Sequence, residues 1–483
     1  MSSEQMQDVE KAISEPRPHA TRLLRRPGFS RLSQAGALVS LFAFYLSMFL
    51  RYRPYEVDNP WFLSFSYNAC VEHIATDQFM DVRFPGGMDG TQYFGRIAAF
   101  VQCAVLSRVG WQQWPAAILV ATMTVAALGL WCFQLKKLGY SDRFITLFLL
   151  VTGLSEPFLS SANRFRYESV SFLLLSAGLL LVSYRFLFWG MLVGALALEV
   201  QPIAFAGLIP LVVMSCLTRK MAWTDWLRLL GGGIAAAILY VFLHANLFVE
   251  PEALLRLVHG GGGEVGGFIA AYFKDRPRHI VELAVVLLAT VVYWRQRAFI
   301  SFHYAAISAT LIVLFSFVMT HANSAYMIFL YPFLVMFMLI AFEQERRWRY
   351  VFPVIMIYFV SQYAVLAYVQ RGKGYSTSDI NAVTEGLHIA AKELRIADDD
   401  LRVYGDYGLW YAHPRRYRAA SETTLGELRQ SDLYLCFSQS DQIAALAPRS
   451  MLYCPDIERR VQVHLLQTME VREKTLYFYA PVR

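Results

Sequence analysis

The sequence predicts an α-helical polytopic membrane protein of about eleven transmembrane helices followed by a small C-terminal α/β soluble domain. Three observations carry that prediction. Of 483 residues, 56% are hydrophobic and only 17% charged, and the mean hydropathy is +0.38, values foreign to soluble chains. Apolar runs near the length of a bilayer crossing recur along the chain. Charge is also segregated: residues 371–483 hold 30 Asp, Glu, Lys and Arg, about 27% of that segment, against about 14% of residues 1–370. The chain therefore divides into an N-terminal tail (1–33), a membrane domain (34–370) and a water-soluble domain (371–483).

The tail is basic (Arg22, Arg25, Arg26, Arg31) and leads into an apolar stretch, Ala35 to Leu50, with no small-residue cleavage site after it. This reads as an uncleaved first membrane helix. Further apolar runs lie at about 115–135, 144–162, 169–184, 227–248, 279–294, 298–318, 324–342 and 350–369. Residues 186–217 are split by Glu199-Val200-Gln201-Pro202 and read as a hairpin whose first arm, about 14 residues, is short for a crossing. Residues 91–108 contain Gln92, Arg96, Gln102 and Arg108, and read as an amphipathic helix lying in the outer interface.

Orientation follows from the enrichment of Lys and Arg in cytoplasmic loops. With the N-terminus in the cytoplasm and eleven crossings, Lys136, Lys137, Arg143, Arg185, Arg219, Lys220, Arg228, Arg295, Arg297, Arg346, Arg347 and Arg349 all fall inside. The first outer loop then spans 51–114, far longer than a simple connector, and residues 371–483 lie outside.

Net charge is +7, but the C-terminal segment balances 15 basic against 15 acidic residues. The excess sits in the membrane part and its tail, which argues against a nucleic-acid partner and for membrane lipid. Six cysteines with no CxxC pair indicate neither a zinc site nor a disulfide scaffold. Cys436 and Cys454 share the outer, oxidising side, as do Cys70 and Cys103, and a Cys436–Cys454 bond is compatible with that topology. The glycine-rich run 259–267 lacks the ending of a phosphate loop and reads as an outer loop. In the C-terminal segment, residues 379–396 have helical spacing, and short strands are expected around 401–404, 433–437 and 478–481. Asp398-Asp399-Asp400 between them reads as a solvated loop rather than a set of metal ligands.

Chemistry-bearing residues gather at the outer face. The first loop opens Tyr55-Glu56-Val57-Asp58-Asn59-Pro60, and on position alone these acids are better explained as solvated residues at a membrane edge. A second cluster, Asn163-Arg164-Phe165-Arg166-Tyr167-Glu168, falls at the same face and shifts that balance. Glu168 opens an apolar run, where an ionised carboxylate needs a partner; Arg164, four residues earlier, is the local candidate. Either a helix-end salt bridge or a substrate role accounts for that pair. Glu199 with Gln201, and His321, Asn323 and Tyr326, form two further polar intrusions.

Together these features resemble the GT-C class of integral membrane glycosyltransferases, with the aminoarabinose transferase and protein mannosyltransferase branch nearest. The resemblance rests on Glu56-Val57-Asp58-Asn59-Pro60 after the first helix and on a long first loop with a membrane-parallel helix. It extends to Arg164–Glu168 opening a Leu-rich helix, the polar-Pro turn Gln201-Pro202, and Tyr326-Met-Ile-Phe-Leu-Tyr-Pro332 late in the bundle. It implies a polyprenyl-phosphate-linked sugar as donor and a glycan, lipid or protein hydroxyl as acceptor. Transfer would occur at the outer face of a bacterial inner membrane, with inversion. A transporter or flippase of a lipid-linked substrate and a polysaccharide polymerase or ligase are the competing readings.

Under this resemblance Asp58 is the general base. Glu56, Arg164, Arg166, Glu168, Arg83, Arg96 and Tyr326 are substrate-binding residues, with Arg164 and Arg166 ahead of Arg83 and Arg96 for the phosphate. Relatives often carry adjacent acids at the first motif, a divalent metal being compatible with such a pair; here Asn59 follows Asp58, and no metal ligand or other cofactor is assigned. Gln201 stands where relatives often have lysine.

Overall fold

The structure is a computed structural model. It describes residues 31–52, 58–73, 94–205, 207–209, 211–212, 221–245, 324–344, 357, 361, 375–419, 431–437, 454–458, 461–471 and 474–482. The expected spans at 279–294 and 298–318, the glycine run 259–267, and Glu56, Arg83, His321 and Asn323 lie outside the described residues, as does all but two positions of the span at 350–369.

The first helix, α1 (Arg31–Tyr52), is followed by α2 (Asp58–Tyr67), a π-helical turn (Asn68–Glu72) and α3 (Arg96–Val109). α4 (Gln113–Lys137) runs on from the last and stops where Gly139 turns left-handed (φ +85°). Ser141 caps α5 (Asp142–Gly153) by accepting from Phe144 N–H at 3.2 Å. The run 144–162, expected as one span, is broken. α5 and α6 (Glu156–Ala162) meet at 64°, because the chain leaves helical geometry at Ser155, with Pro157 then seated in the first turn of α6.

α7 (Glu168–Ser183) and α8 (Leu187–Val200) pack backbone to backbone. A Cβ on Gly178 would lie 2.7 Å from Gly190 O and 2.8 Å from Gly194 Cα, the small-residue seam by which helices associate in lipid. α8 has the 14 residues expected of the short first arm of the hairpin. It ends at Gln201, and Leu208 and Leu211 return beside Gly194. α9 (Trp223–Leu243) crosses α8 where Gly232 meets Phe188 O. α10 (Tyr331–Gln344) follows a 3-10 helix, Ser324–Phe329.

Among the described residues, three helices are long and apolar enough to cross a membrane, within α1, α4 and α9, and the bent α5–α6 pair would make a fourth. Their shared core runs from Leu41 and Tyr45 through Trp131, Phe148 and Phe172 to Phe333. α3 has one buried face (Ala98, Ala99, Gln102, Leu106) and one exposed (Phe100, Val105, Val109), the two-sidedness of an interfacial helix.

In the C-terminal segment α11 (Thr377–Leu394) opens with a capping box. Ser376 Oγ accepts from Asp379 N–H at 3.0 Å, and Asp379 accepts from Ser376 N–H at 2.6 Å. β1 (Val403–Gly405), β2 (Tyr417–Ala419), β3 (Leu433–Phe437), β4 (Val463–Val471) and β5 (Lys474–Pro481) form one sheet in the order β2-β1-β3-β5-β4. β1 is parallel to β2 and β3; β5 is antiparallel to β3 and β4, with a bulge in β4 between Leu465 and Gln467. α11 lies on this sheet through Gly386, against Met469 and Phe478.

Two disulfides are present among the described residues: the Cys436–Cys454 bond that the expected topology allows, and one between the other two cysteines assigned to the same side. Cys70 is bonded to Cys103, tying the π turn to α3, and Cys436 to Cys454 of the short helix α12 (Cys454–Glu458). Asp398, Asp399 and Asp400 each face a different partner, His388, Arg415 and Arg416 respectively, so they do not converge.

Candidate active site

α2 begins at Asp58, and the next side chain fixes where that beginning sits. Asn59, buried, turns Oδ1 to Phe165 N–H at 2.9 Å. One hydrogen bond thus joins the acidic motif of the first loop to the Arg164–Glu168 cluster, 106 residues on, and brings the backbone of Asp58 beside it. The Asp58 side chain lies outside the described residues.

Five more contacts hold this join. Tyr167 Oη donates to Phe62 O at 3.1 Å and lies 3.2 Å from Ser66 Oγ. Ser66 donates to Gln102 Oε1 of α3 at 2.6 Å, and Gln102 Nε2 donates to Phe165 O at 3.3 Å. Phe62 and Tyr167 meet edge to face at 4.6 Å. Gln102 and Ser66 were not among the expected site residues. The signal for Gln102 was present, since its polarity is one reason residues 91–108 read as interfacial.

Within the cluster the ion pair differs from expectation. Glu168 Oε1 accepts from Arg166 Nε at 2.8 Å, with side-chain exposures of 5% and 1%, rather than from Arg164. The i, i+4 argument fails because α7 starts only at Glu168; residues 164–167 are not helical and Arg164 is not one turn below. Gln201 Nε2 also donates to Glu168 Oε1, at 3.1 Å, so the polar-Pro turn reaches the same carboxylate. The Arg166 guanidinium lies over the Phe62 ring at 5.2 Å. Arg164 is half-buried, the more accessible of the two arginines. A pair sealed this far from water is costly to break, since either partner alone would be a buried charge.

A second node sits two residues before Gln201. Buried Glu199 accepts from Arg96 N–H (2.7 Å) and Ile97 N–H (3.1 Å), capping α3, and lies 2.9 Å from His244 Nε2 at the end of α9. Gly95, left-handed at φ +86°, precedes this cap, and the Tyr167 ring fills the space a side chain there would need. The Arg96 guanidinium donates to Leu243 O. Arg96, expected at a phosphate, thus joins the ends of α3 and α9. The 3-10 helix carrying Tyr326 packs on α6 and α7; its side chain, too, lies outside the described residues. Sequence offered no signal for His244 beyond its place at the end of an apolar run.

Asn59 does not extend a metal site. Its amide oxygen is turned to the backbone of Phe165, so the adjacent carboxylate pair that the resemblance allows is absent. Among the described residues no group of three or more His, Cys, Asp or Glu could hold one.

The arrangement thus gathers the Arg164 and Arg166 segment and the Glu168 carboxylate against the start of α2. No family model matches the chain, and no curated protein matches it. Among solved structures it is similar to the crystal structure of ArnT from Cupriavidus metallidurans bound to undecaprenyl phosphate. The TM-score is 0.57 at 13% identity, covering 93% of this chain and 97% of that one. The chain therefore has the ArnT fold, and the resemblance to GT-C membrane glycosyltransferases is met at the level of the fold.

Proposed function

We propose that this protein is a membrane glycosyltransferase that moves a sugar from a polyprenyl phosphate, of the undecaprenyl type, to an acceptor hydroxyl at the outer face of a bacterial inner membrane. The observation that supports it most is the Asn59–Phe165 bond, which sets the acidic start of α2 against the arginines of the 164–168 cluster. The fold shared with ArnT supports it independently.

A lipid-linked donor explains why the site belongs at a bilayer rim. The isoprenoid tail partitions into hydrocarbon and leaves the sugar-phosphate bond at headgroup depth. In the proposed reaction the acceptor oxygen attacks the anomeric carbon from the face opposite the phosphate. The carbon–oxygen bond to phosphate breaks, its electron pair leaves with the polyprenyl phosphate, and the hydroxyl proton passes to the Asp58 carboxylate. Configuration inverts. Arg164 and Arg166 supply the charge that stabilises the departing phosphate, and Glu168, held in turn by Gln201, orients Arg166 through its Nε. Glu56, Arg83 and Tyr326 complete the substrate cavity in this reading, and the chain crosses the membrane about eleven times with its N-terminus in the cytoplasm.

The test uses the full chain in nanodiscs. Undecaprenyl phosphate should bind saturably, Arg164→Ala should weaken it by about tenfold or more, the worth of a charge-assisted contact, and Asp58→Asn should bind it normally while transferring no sugar. A wild-type chain that does not bind undecaprenyl phosphate, or an Asp58→Asn chain with ordinary turnover, overturns the reading.

A further inference from the structure

Helix α2 is fixed at its start by Asn59, and its far end is held by a different part of the molecule. Tyr67, its last residue, meets Trp111 edge-on at 5.3 Å and Trp410 of the C-terminal domain at 6.0 Å. Trp410 is fully buried, in a core that also contains Leu63 of α2, Leu106 of α3 and Ala116 of α4. Five residues beyond Tyr67, Glu72 lies 3.2 Å from Arg415 Nε, and Arg415 reaches Asp399 with its Nη1 at 3.0 Å. The facing atoms, Glu72 Oε1 and Arg415 Nε, are themselves shielded from water, though the side chains are 20% and 37% exposed. Between Tyr67 and Glu72, Cys70 is covalently joined to α3.

We infer that Arg415 is a positioning residue. Through Glu72 and the Tyr67–Trp410 contact, the C-terminal domain holds the helix whose first residue is Asp58, and so sets where the backbone of that residue stands. This rests on the transferase reading for what Asp58 does, but not for how α2 is held. The physical reason is leverage. A ten-residue helix is a rigid rod of about 15 Å, so a shift at Glu72 is carried to Asp58, and small misplacements of a reacting group are expensive. The disulfide ties the turn to α3, and Asn59 and Ser66 hold the start and middle of the rod; the ionic and aromatic contacts fix its remaining end. Asp399 keeps the guanidinium from leaving Glu72 when solvent competes for it.

The experiment measures amide hydrogen exchange across residues 58–67 in the full chain in nanodiscs, alongside affinity for undecaprenyl phosphate. Arg415→Ala and Glu72→Ala should each speed exchange in α2 by about three- to fivefold, the range of a partly exposed ion pair. The double variant should do no more than either alone, and Arg415→Lys should stay within about twofold of wild type. Affinity should be unchanged in all four, because residues 164–168 are not touched. Unchanged α2 exchange in both single variants, additive effects in the double, or a parallel tenfold loss of affinity overturns the inference. Wild-type protein that fails to bind undecaprenyl phosphate while α2 exchange responds as stated removes the transferase reading and leaves the positioning role standing.

Discussion

Asn59→Ala is the most searching single change in this chain, because it deletes one hydrogen bond and nothing else of consequence. Asn59 is 5% exposed and Phe165 1%, so the Phe165 N–H would be left without its acceptor in a site water reaches poorly. An unmade bond of that kind costs about 1–3 kcal/mol. The loss should appear as a lower unfolding temperature for the full chain in nanodiscs, followed by tryptophan fluorescence. Activity should suffer more than stability. Asn59 is the direct tie between the start of α2 and the 164–168 segment, and a displacement near 1 Å of a reacting group costs on the order of a hundredfold in turnover. Undecaprenyl phosphate affinity should fall far less. Asn59→Asp is the control: a carboxylate still accepts from Phe165 N–H, so stability should be kept, while its charge beside Asp58 should shift the pH profile of transfer upward. An Asn59→Ala chain with wild-type turnover would refute the claim that this contact assembles the site.

Two further outcomes are expected. His413 Nε2 donates to Leu401 O (2.9 Å), and burial holds its imidazole below the ordinary value of 6.5. The unfolded chain therefore takes up this proton first, so the contribution of His413 is complete above about pH 6.5 and is lost as pH falls through the folded value; His413→Gln should flatten that part of the stability profile in denaturant titrations at stepped pH. For topology, cysteines placed at positions 137 and 400 should differ toward an impermeant maleimide applied to intact cells: position 400 reacts, position 137 does not, and the reverse pattern would invert the proposed orientation.

Much of the helix pattern was legible because it depends on composition within a window. Residues 115–135 were expected as a span and α4 covers Gln113–Lys137; residues 379–396 were expected as a helix and α11 covers Thr377–Leu394. The interfacial helix starts at Arg96 rather than 91, for the reason that Gly95 sits under Tyr167 and Glu199 provides the cap. These are long-range contacts that no local pattern reports. The same limit explains the errors. Arg164 was paired with Glu168 by helical spacing, but helix begins only at Glu168; the α5–α6 break was hidden because Phe158 and Leu159 keep the stretch apolar across Pro157. β2 and β4 were missed: β2 is three residues long, and β4, Val463–Val471, mixes exposed and half-buried positions without a clean alternation. Of the site, the residue types were legible and their partners were not. Asn59 and Gln201 looked like departures from a pattern, and in the structure both are the amides that bind the cluster together.

The bulge in β4 has a bearing on life in a crowded bilayer. Among the described residues β4 is one of the two edge strands of the sheet, and the longer, and proteins embedded in one plane meet their neighbours sideways, again and again. A straight outer strand would offer an unbroken row of amide and carbonyl groups to an identical neighbour. The irregularity between Leu465 and Gln467 interrupts that row and increases its twist, so that two copies colliding in the membrane find no common ladder along which to fuse.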